Sequence, residues 1–366
     1  MIVAATIFGL TYGLSAPLIA VDLAERGATE WLIGLNAAMH AVGVLIIAPF
    51  LPSLAVRFGP RVLLVGALAL SAIVLAAFPY MPAVWLWFPL RLLLGVGAEV
   101  LFVLTETWTN DLATDQSRGR TMAIYTAALS LGFAGGPAIL SVVGTETVAY
   151  YIGAVIAAAA IIPLVNPWMQ RPRQMEPATS KPWQYVRLAP IAIATTLLNA
   201  AVETAGLSFI ALYASGLGWT ESEAMQLVST LLVGAIVLQL PIGWLADRVN
   251  PRRLALTLSF ISAAGALVWP WMLGVHWVAY AIVFVWGGLF VGIYTVMLMI
   301  VGSRFSGGEL VGVYAVMSVA WGGGALIGPM AVGFAMGVSP GVGLPFAVAL
   351  GCGLFAVYML FHRSET

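Results

Sequence analysis

The stretch RLLLGVGAEVLFVLTETWTNDLATDQSRGR, residues 91–120, joins a long apolar run to ionisable side chains. Its first twenty residues have the composition of a membrane-spanning helix, yet they include Arg91, Glu99 and Glu106. An ionisable side chain at mid-bilayer costs about 2.5–3.5 kcal/mol on insertion scales. Because seven residues separate the two glutamates, they lie within about 20° of each other on a helix. We therefore expect one polar side of this helix to face a protein interior or a water-filled cavity.

The composition of the whole chain is that of a membrane protein, in which such a helix can be surrounded by other helices. Of its 366 residues, 61% are hydrophobic and 8% are charged, whereas a soluble domain has about 25% charged residues. Apolar segments of about 20 residues, long enough to cross a bilayer, follow one another along the chain and predict an all-α membrane protein with twelve helices, called spans 1 to 12 below. The spans are predicted at residues 2–22, 31–52, 62–80, 84–108, 121–143, 147–166, 188–213, 222–245, 254–273, 277–300, 310–335 and 341–361.

The basic residues predict the orientation. With both termini in the cytoplasm, 13 of the 15 Lys and Arg fall in cytoplasmic loops or the tail, as the positive-inside rule requires. This pattern predicts a multi-pass protein of a bacterial inner membrane. The first apolar run begins at Ile2 with no basic segment before it, so we expect no secretory signal peptide. The natural N-terminus could still be longer.

The two halves of the chain repeat each other. PSLAVRFGPR at 52–61 aligns with GWLADRVNPR at 243–252 at an offset of 191 residues. Gly132 and the pair Gly136-Pro137 in span 5 match Gly324 and Gly328-Pro329 in span 11 at an offset of 192. Repeats in the same orientation indicate a duplicated six-helix unit. We predict an N-terminal bundle at 1–169, a cytoplasmic linker at 170–187 and a C-terminal bundle at 188–366.

Three motifs resemble those of the major facilitator superfamily. GWLADRVNPRR (243–253) is similar to the loop signature between the second and third helices of each half, and RLLLGVG (91–97) is similar to the fourth-helix motif. GFAGGP (132–137) resembles the fifth-helix motif of proton-driven exporters, although Leu140 and Ser141 replace its trailing glycine pair. In the first loop, Pro52 and Val56 stand where the family usually has Gly and Asp. The resemblance covers the whole chain and implies two pseudo-symmetric six-helix bundles.

The resemblance also implies a central cavity lined by spans 1, 4, 7 and 10. Transporters of this kind bind substrate near the bilayer midplane. We predict proton coupling through Glu99, Glu203 and His40, because burial disfavours the charged form of a carboxyl group and lets it exchange protons. The predicted substrate-binding residues are Tyr12, Arg91, Asn199, Tyr294 and Trp321.

Structural interpretations of the same residues stay open. Glu203 could be a hydrogen-bonded structural residue, and His40 could be held between packed helices. Glu99 could form a fixed salt bridge with Arg91, although eight residues correspond to about 12 Å of helix rise, which argues against a direct pair. Arg91 could bind an anionic substrate, lower the proton affinity of a nearby glutamate, or hydrogen-bond backbone carbonyls of neighbouring helices.

Charged residues near the cytoplasmic ends of the spans predict two gates. Glu106 is expected to pair with Arg57, Arg61 or Arg120 in the first half. In the second half the gate is expected to comprise Asp247, Arg248 and Arg252, a cluster that must break during a conformational change. The alternative is that these charges only set the topology.

The sequence thus predicts a secondary transporter that exports a small apolar or amphipathic molecule in exchange for protons. The alternatives are a proton-coupled importer of a small organic anion and a non-transporting carrier or assembly factor with the same fold. One cysteine and three dispersed histidines offer no metal-ligand spacing, and no nucleophile–base set or ATP-binding motif is visible. We therefore expect no enzyme activity, no cofactor and no metal. The expected partners are a small-molecule substrate, protons and the lipid bilayer, without nucleic acid, and we expect a monomer.

Overall fold

The computed structural model describes residues 2–112, 118–165, 189–272, 275–305 and 307–362. Within these ranges twelve helical segments are long and apolar enough to cross a membrane, which confirms the predicted fold class. Helices are the expected solution because a single chain segment in lipid must satisfy its own backbone hydrogen bonds. The twelve spans are Ile2–Glu25, Glu30–Ile47, Pro60–Tyr80, Val84–Thr109, Ile124–Val143, Thr147–Leu164, Pro190–Gly216, Glu221–Ala246, Pro251–Met272, His276–Val301, Val316–Val338 and Gly343–Phe361.

Several helices extend beyond their apolar cores or are interrupted. A short helix, Leu51–Phe58, precedes span 3, and Gly59 with a φ of 81° turns the chain into Pro60. Glycine reaches this left-handed region without the steric cost of a side chain. The helix bounds of the interrupted or extended spans are Pro60–Ala77 for span 3, Trp87–Leu112 for span 4, Arg118–Val143 for span 5, Thr147–Ala159 and Ile161–Leu164 for span 6, Glu221–Val237 and Gln239–Ala246 for span 8, His276–Arg304 for span 10, and Gly307–Val338 for span 11.

The chain divides into two compact units. Unit 1 comprises Met1–Ala28, Met39–Ala178 and Glu221–Ser229, and unit 2 comprises Thr29–Ala38, Thr179–Thr220 and Thr230–Thr366. Unit 1 contains most of the first half of the chain and unit 2 most of the second half, but the N-terminal part of span 2 lies in unit 2 and that of span 8 lies in unit 1. The predicted linker at 170–187 lies outside the described residues.

Within unit 1, spans 1 and 5 cross at very short range. A Cβ atom added at Gly9 or Gly13 would collide with the carbonyl oxygens of Leu129 and Phe133. From the other side, a Cβ at Gly132 would collide with the carbonyl oxygen of Thr6. Small residues allow this approach, which membrane helices use in place of hydrophobic association.

Unit 2 repeats the crossing with spans 7 and 11. A Cβ at Gly324 would meet the carbonyl oxygen of Leu197, and one at Gly328 would meet that of Ala201. Gly324 and Gly328 are the residues that the sequence repeat pairs with Gly132 and Gly136. The glycine pattern of the sequence therefore corresponds to the same helix contact in each unit.

The exchanged helix ends make specific contacts in their units. In unit 2, a Cβ at Gly34 of span 2 would collide with the carbonyl oxygen of Pro329 in span 11. In unit 1, Ser222 of span 8 donates a hydrogen bond to the carbonyl oxygen of Ser141, at 2.6 Å, and Ser229 donates one to that of Ala134, at 3.1 Å. The N-terminal part of span 2 thus packs against span 11, and that of span 8 packs against span 5.

Candidate functional site

A small cavity lies inside unit 1. It has a volume of about 10 Å³ and contains side chains from spans 1 to 4. This volume is close to the least that one water molecule needs. Leu94, Ala98, Leu101 and Phe8 provide apolar walls. The polar lining residues are Thr11, Tyr12, Ser15, His40 and Ser71.

The crossing of spans 2 and 4 brings His40 to this cavity. A Cβ at Gly95 would collide with the carbonyl oxygen of His40, and one at Gly43 would collide with that of Leu92. The imidazole packs against the Tyr12 ring, with 4.6 Å between ring centroids. His40 is 5% exposed, and its Nδ1 has no hydrogen-bond partner among the described residues.

Arg91 lies on the same face of span 4 as the cavity residues Leu94 and Ala98, because it precedes them by three and seven residues. The side chain is 2% exposed, and neither Nε nor Nη1 finds a partner in the described part of the chain. Its charge interacts electrostatically with Tyr12 and His40, which line the cavity, and with Tyr150. The guanidinium is therefore buried among spans of unit 1, and no ion pair of it is seen among the described residues.

Glu99 and Glu106 also lie on span 4, and both are half-buried. The two carboxyl groups interact electrostatically with each other. Neither forms an ion pair within the ranges that the structure describes, so the alternative of a Glu99–Arg91 salt bridge is not seen there. Next to Glu106, the Thr105 and Tyr125 hydroxyls are 3.1 Å apart and share a hydrogen bond.

In unit 2, span 7 places Asn199 and Glu203 one helical turn apart. Asn199 Nδ2 donates a hydrogen bond to Glu203 Oε2 at 3.3 Å, while Asn199 Oδ1 is buried and has no partner among the described residues. Glu203 has no described ion pair. Thr195, Thr204 and other hydroxyl groups of this span donate to backbone carbonyls one turn earlier, so their protons are already engaged along the helix.

Tyr294 and Trp321 are both half-buried in unit 2. Beside Tyr294, Thr295 donates a hydrogen bond to Gln239 Oε1 of span 8, and Gln239 Nε2 donates one to the Ala235 carbonyl at 2.6 Å. The Gln239–Thr295 pair was not predicted from the sequence, and neither were the cavity residues Thr11, Ser15 and Ser71. A polar residue inside an apolar run was the available signal for each of them.

The predicted gate residues lie near helix ends. Arg61 Nε donates to the carbonyl oxygen of Leu164, and Arg57 lies 5.2 Å from the centroid of the Phe58 ring. The side chain of Arg120 lies outside the described residues. The ion pairs proposed for Glu106 remain predictions.

In unit 2, Arg252 Nη2 donates hydrogen bonds of 2.6 Å to the carbonyl oxygens of Met359 and His362, at the end of span 12. The Arg248 guanidinium lies 3.6 Å from the centroid of the Trp244 ring. Asp247 forms no ion pair in the described part of this unit. The gate role of these three residues remains a prediction.

No group of three or more His, Cys, Asp or Glu among the described residues could hold a metal ion. The polar groups of both units are carboxyl, amide, hydroxyl, imidazole and guanidinium side chains. Such groups can bind small molecules and exchange protons.

Comparison with known proteins identifies relatives along the whole chain. A protein of Bacillus subtilis (strain 168) with the name uncharacterized MFS-type transporter YfkF is 26% identical over 286 residues, 75% of this chain and 73% of that protein. The multidrug resistance protein MdtG of Enterobacter lignolyticus (strain SCF1) is 29% identical over 170 residues, 45% of this chain and 40% of its own.

The fold matches solved structures of transporters. A mutant of the nucleoside transporter NupG superposes with a TM-score of 0.83 at 12% identity, over 98% of this chain and 97% of that chain. The model of the Major Facilitator Superfamily matches residues 1–226 and 191–366. The chain therefore belongs to the Major Facilitator Superfamily.

Proposed function

We propose that the chain is a secondary transporter that works by alternating access and exports a small apolar or amphipathic molecule in exchange for protons. The observation that supports this most strongly is the placement of Glu99 and Glu203 within spans 4 and 7. Both carboxyl groups are at least half-buried, and neither has an ion-pair partner among the described residues.

A carboxyl group in this environment can bind and release a proton during a transport cycle. Burial disfavours its charged form, and no described cation holds it permanently ionised. Asn199 contacts Glu203 through a single hydrogen bond of 3.3 Å, a weak restraint that allows the carboxyl group to change partners. Ionisable residues within membrane spans are usually functional.

Three observations favour export of a small apolar or amphipathic molecule. The GFAGGP motif resembles that of proton-driven exporters, and the relative MdtG is named as a multidrug resistance protein. Half-buried Trp321 adds an aromatic surface to span 11, and aromatic rings suit apolar or cationic ligands.

Proton movement in proteoliposomes tests the proposal. The purified chain is reconstituted with a pH-sensitive dye inside the vesicles, and lipophilic cations and small organic anions are added in turn. A proton signal that appears with wild type and is lost in Glu99→Gln or Glu203→Gln supports coupling. Glu146→Gln is the matched control, because Glu146 is exposed between spans 5 and 6. Substrate flux without proton movement in wild type would contradict the coupling.

A second candidate is a proton-coupled importer of a small organic anion. It is favoured by the buried Arg91 guanidinium, whose Nε and Nη1 have no described partner. The same vesicle assay separates the candidates, because an importer would respond to the organic anions and lose that response in Arg91→Lys. Full biological activity of the double Glu99→Gln, Glu203→Gln variant would instead favour a non-transporting factor.

A further inference from the structure

Asn199 and Glu203 form a polar pair inside span 7 of unit 2. Asn199 Nδ2 donates a hydrogen bond to Glu203 Oε2 at 3.3 Å, and the two residues are one helical turn apart. Glu203 forms no ion pair with a described residue. Among the described residues, the Asn199 amide is therefore the polar group in direct contact with this carboxyl group.

The two ends of the Asn199 amide have unequal surroundings. Its nitrogen contacts Glu203, whereas its oxygen, Oδ1, is buried and has no partner among the described residues. A buried acceptor without a donor costs free energy. An amide group carries donors at one end and an acceptor at the other, so a half-turn about the last side-chain bond would bring Oδ1 to the place of Nδ2.

The observed orientation suits a charged carboxyl group. A carboxylate only accepts hydrogen bonds, so it requires the N–H donor that Nδ2 provides. After Glu203 has bound a proton, its new O–H group is a donor and requires an acceptor. The reversed amide supplies that acceptor, because Oδ1 then faces Glu203. Asn199 can thus form a hydrogen bond with Glu203 in either protonation state.

The backbone on both sides of Asn199 is held by span 11, so the side chain is the part that can move. A Cβ at Gly324 would collide with the carbonyl oxygen of Leu197, and one at Gly328 would collide with that of Ala201. Backbones packed this closely leave little room for span 7 to rotate or shift. A change of hydrogen bonding at this position therefore falls to the amide torsion.

We propose that Asn199 is a positioning residue for the proton carrier Glu203 and that its side-chain amide reverses when Glu203 binds a proton. The nitrogen faces the carboxylate, and the oxygen faces the neutral acid. Both protonation states then have a hydrogen-bond partner within span 7, so the carboxyl group binds and releases a proton without a change in the helix. This inference rests on the proton exchange proposed for Glu203, and it gives Asn199 a role other than the substrate contact predicted from the sequence.

Two spectroscopic signals test the inference on the full-length chain in lipid nanodiscs. The infrared carboxylic C=O stretch reports protonation, and the band of Glu203 is the one that Glu203→Gln removes. Isotope labelling of the asparagine side-chain nitrogen gives magnetic resonance signals of the amides, since the chain has five asparagines. Asn199→Leu identifies the signal of Asn199. Both signals are followed from about pH 9 to about pH 5, a range that includes perturbed carboxyl groups.

We expect the Glu203 band and the Asn199 signal to change together over the same pH interval, because one proton drives both. In Glu203→Gln the Asn199 signal should lose its pH dependence. Thr195→Val is the matched control on span 7, because the Thr195 hydroxyl already donates to the Ile191 carbonyl at 2.8 Å, and it should keep both changes. Glu203→Met and Asn199→Ser serve the same assignments if the first variants do not fold.

The outcomes separate this inference from the function on which it rests. A Glu203 band that forms in acid while the Asn199 signal stays constant, or changes over a different pH interval, would overturn the amide reversal and leave proton exchange intact. No Glu203 band at any pH would contradict the proton carrier itself, and the inference with it.

Discussion

The crossing of spans 2 and 4 in unit 1 and that of spans 8 and 10 in unit 2 have the same backbone contacts. A Cβ at Gly43 would collide with the carbonyl oxygen of Leu92, and one at Gly234 would collide with that of Phe284. Likewise Gly95 faces the backbone of His40, and its counterpart Gly287 faces the Leu231 carbonyl. Counterparts are separated by 191 or 192 residues, the offset of the sequence repeat.

The side chains around these two crossings differ completely. Arg91 and His40 of unit 1 correspond to Val283 and Leu231 of unit 2. Leu94 and Ala98, which line the cavity, correspond to two aromatic residues that stack with 5.1 Å between ring centroids, Trp286 and Phe290.

Aromatic packing therefore takes the place of the cavity in unit 2. Trp286 donates a hydrogen bond of 2.8 Å to the Ser262 carbonyl and packs edge-on against Trp269, at 4.8 Å. The repeated helix crossing therefore does not require a cavity or buried ionisable side chains. The arginine and histidine of unit 1 are therefore particular to that unit and not part of the repeat.

The largest expected effect comes from placing an arginine in unit 2 at Val283, the position that corresponds to Arg91. Val283 is 1% exposed, and Val283→Arg would bury a guanidinium in a position that a valine side chain fills, without space or added hydrogen-bond acceptors for it. We expect a loss of about 5 kcal/mol or more from overpacking and charge burial together, seen as a loss of folded protein in size-exclusion chromatography. Val275→Arg, exposed at the start of span 10, should fold. Normal yield of Val283→Arg would contradict the comparison.

Removing the Trp286 ring from the crossing of spans 8 and 10 should have the next largest effect. Trp286 is 4% exposed, and Trp286→Ala leaves a hole where unit 1 has its cavity. The expected loss of stability is about 3–5 kcal/mol, measured by thermal unfolding in detergent. Trp277→Ala is the control, since that ring is 86% exposed. Equal melting temperatures for the two variants would show that the stack does not hold the helices together.

The shared glycine contacts should matter equally in the two units. Gly95→Ala and Gly234→Ala each force a methyl group against a backbone carbonyl, and overpacking of this kind typically costs about 1–3 kcal/mol. Gly66→Ala should be harmless, because nothing lies within 4 Å of the added methyl. If the melting temperature fell in only one of these two glycine variants, the two helix crossings would not be structurally equivalent.

The smallest effect concerns the serine that corresponds to Ser71. Ser262 Oγ is buried and has no partner among the described residues, so removing this hydroxyl also removes an unsatisfied polar group. We expect Ser262→Ala to change stability by no more than about 1 kcal/mol, in the stabilising direction. A clear fall in its melting temperature would mean that unit 2 holds a bound water or ion at this position.

Hydropathy and the glycine repeats were sufficient to predict the twelve spans and the duplication. A bilayer fixes the length of a span, and Gly132 and Gly324 mark helix crossings that need small residues. The exchange of helix ends between the units was not predictable, because contacts between particular residues, such as that of Gly34 with Pro329, leave no hydropathy signal.

The candidate site was only partly predictable. Glu99, Glu203 and Arg91 were visible as charges in apolar runs, but periodicity along one helix cannot say which residue of another helix is its neighbour. The proximity of His40 to Tyr12, the cavity and the aromatic filling by Trp286 all depend on packing between helices. They required the structure.

Gradient-driven transport tests the central claim of proton-coupled export most directly. Inside-out membrane vesicles receive an imposed pH gradient, and uptake of a lipophilic cation is compared for wild type, Glu203→Gln and the exposed-site control Glu146→Gln. We predict that Glu203→Gln loses gradient-driven uptake but keeps exchange of the cation across the membrane without a gradient, because it can still bind substrate and change conformation. Gradient-driven uptake that persists in Glu203→Gln would contradict the account.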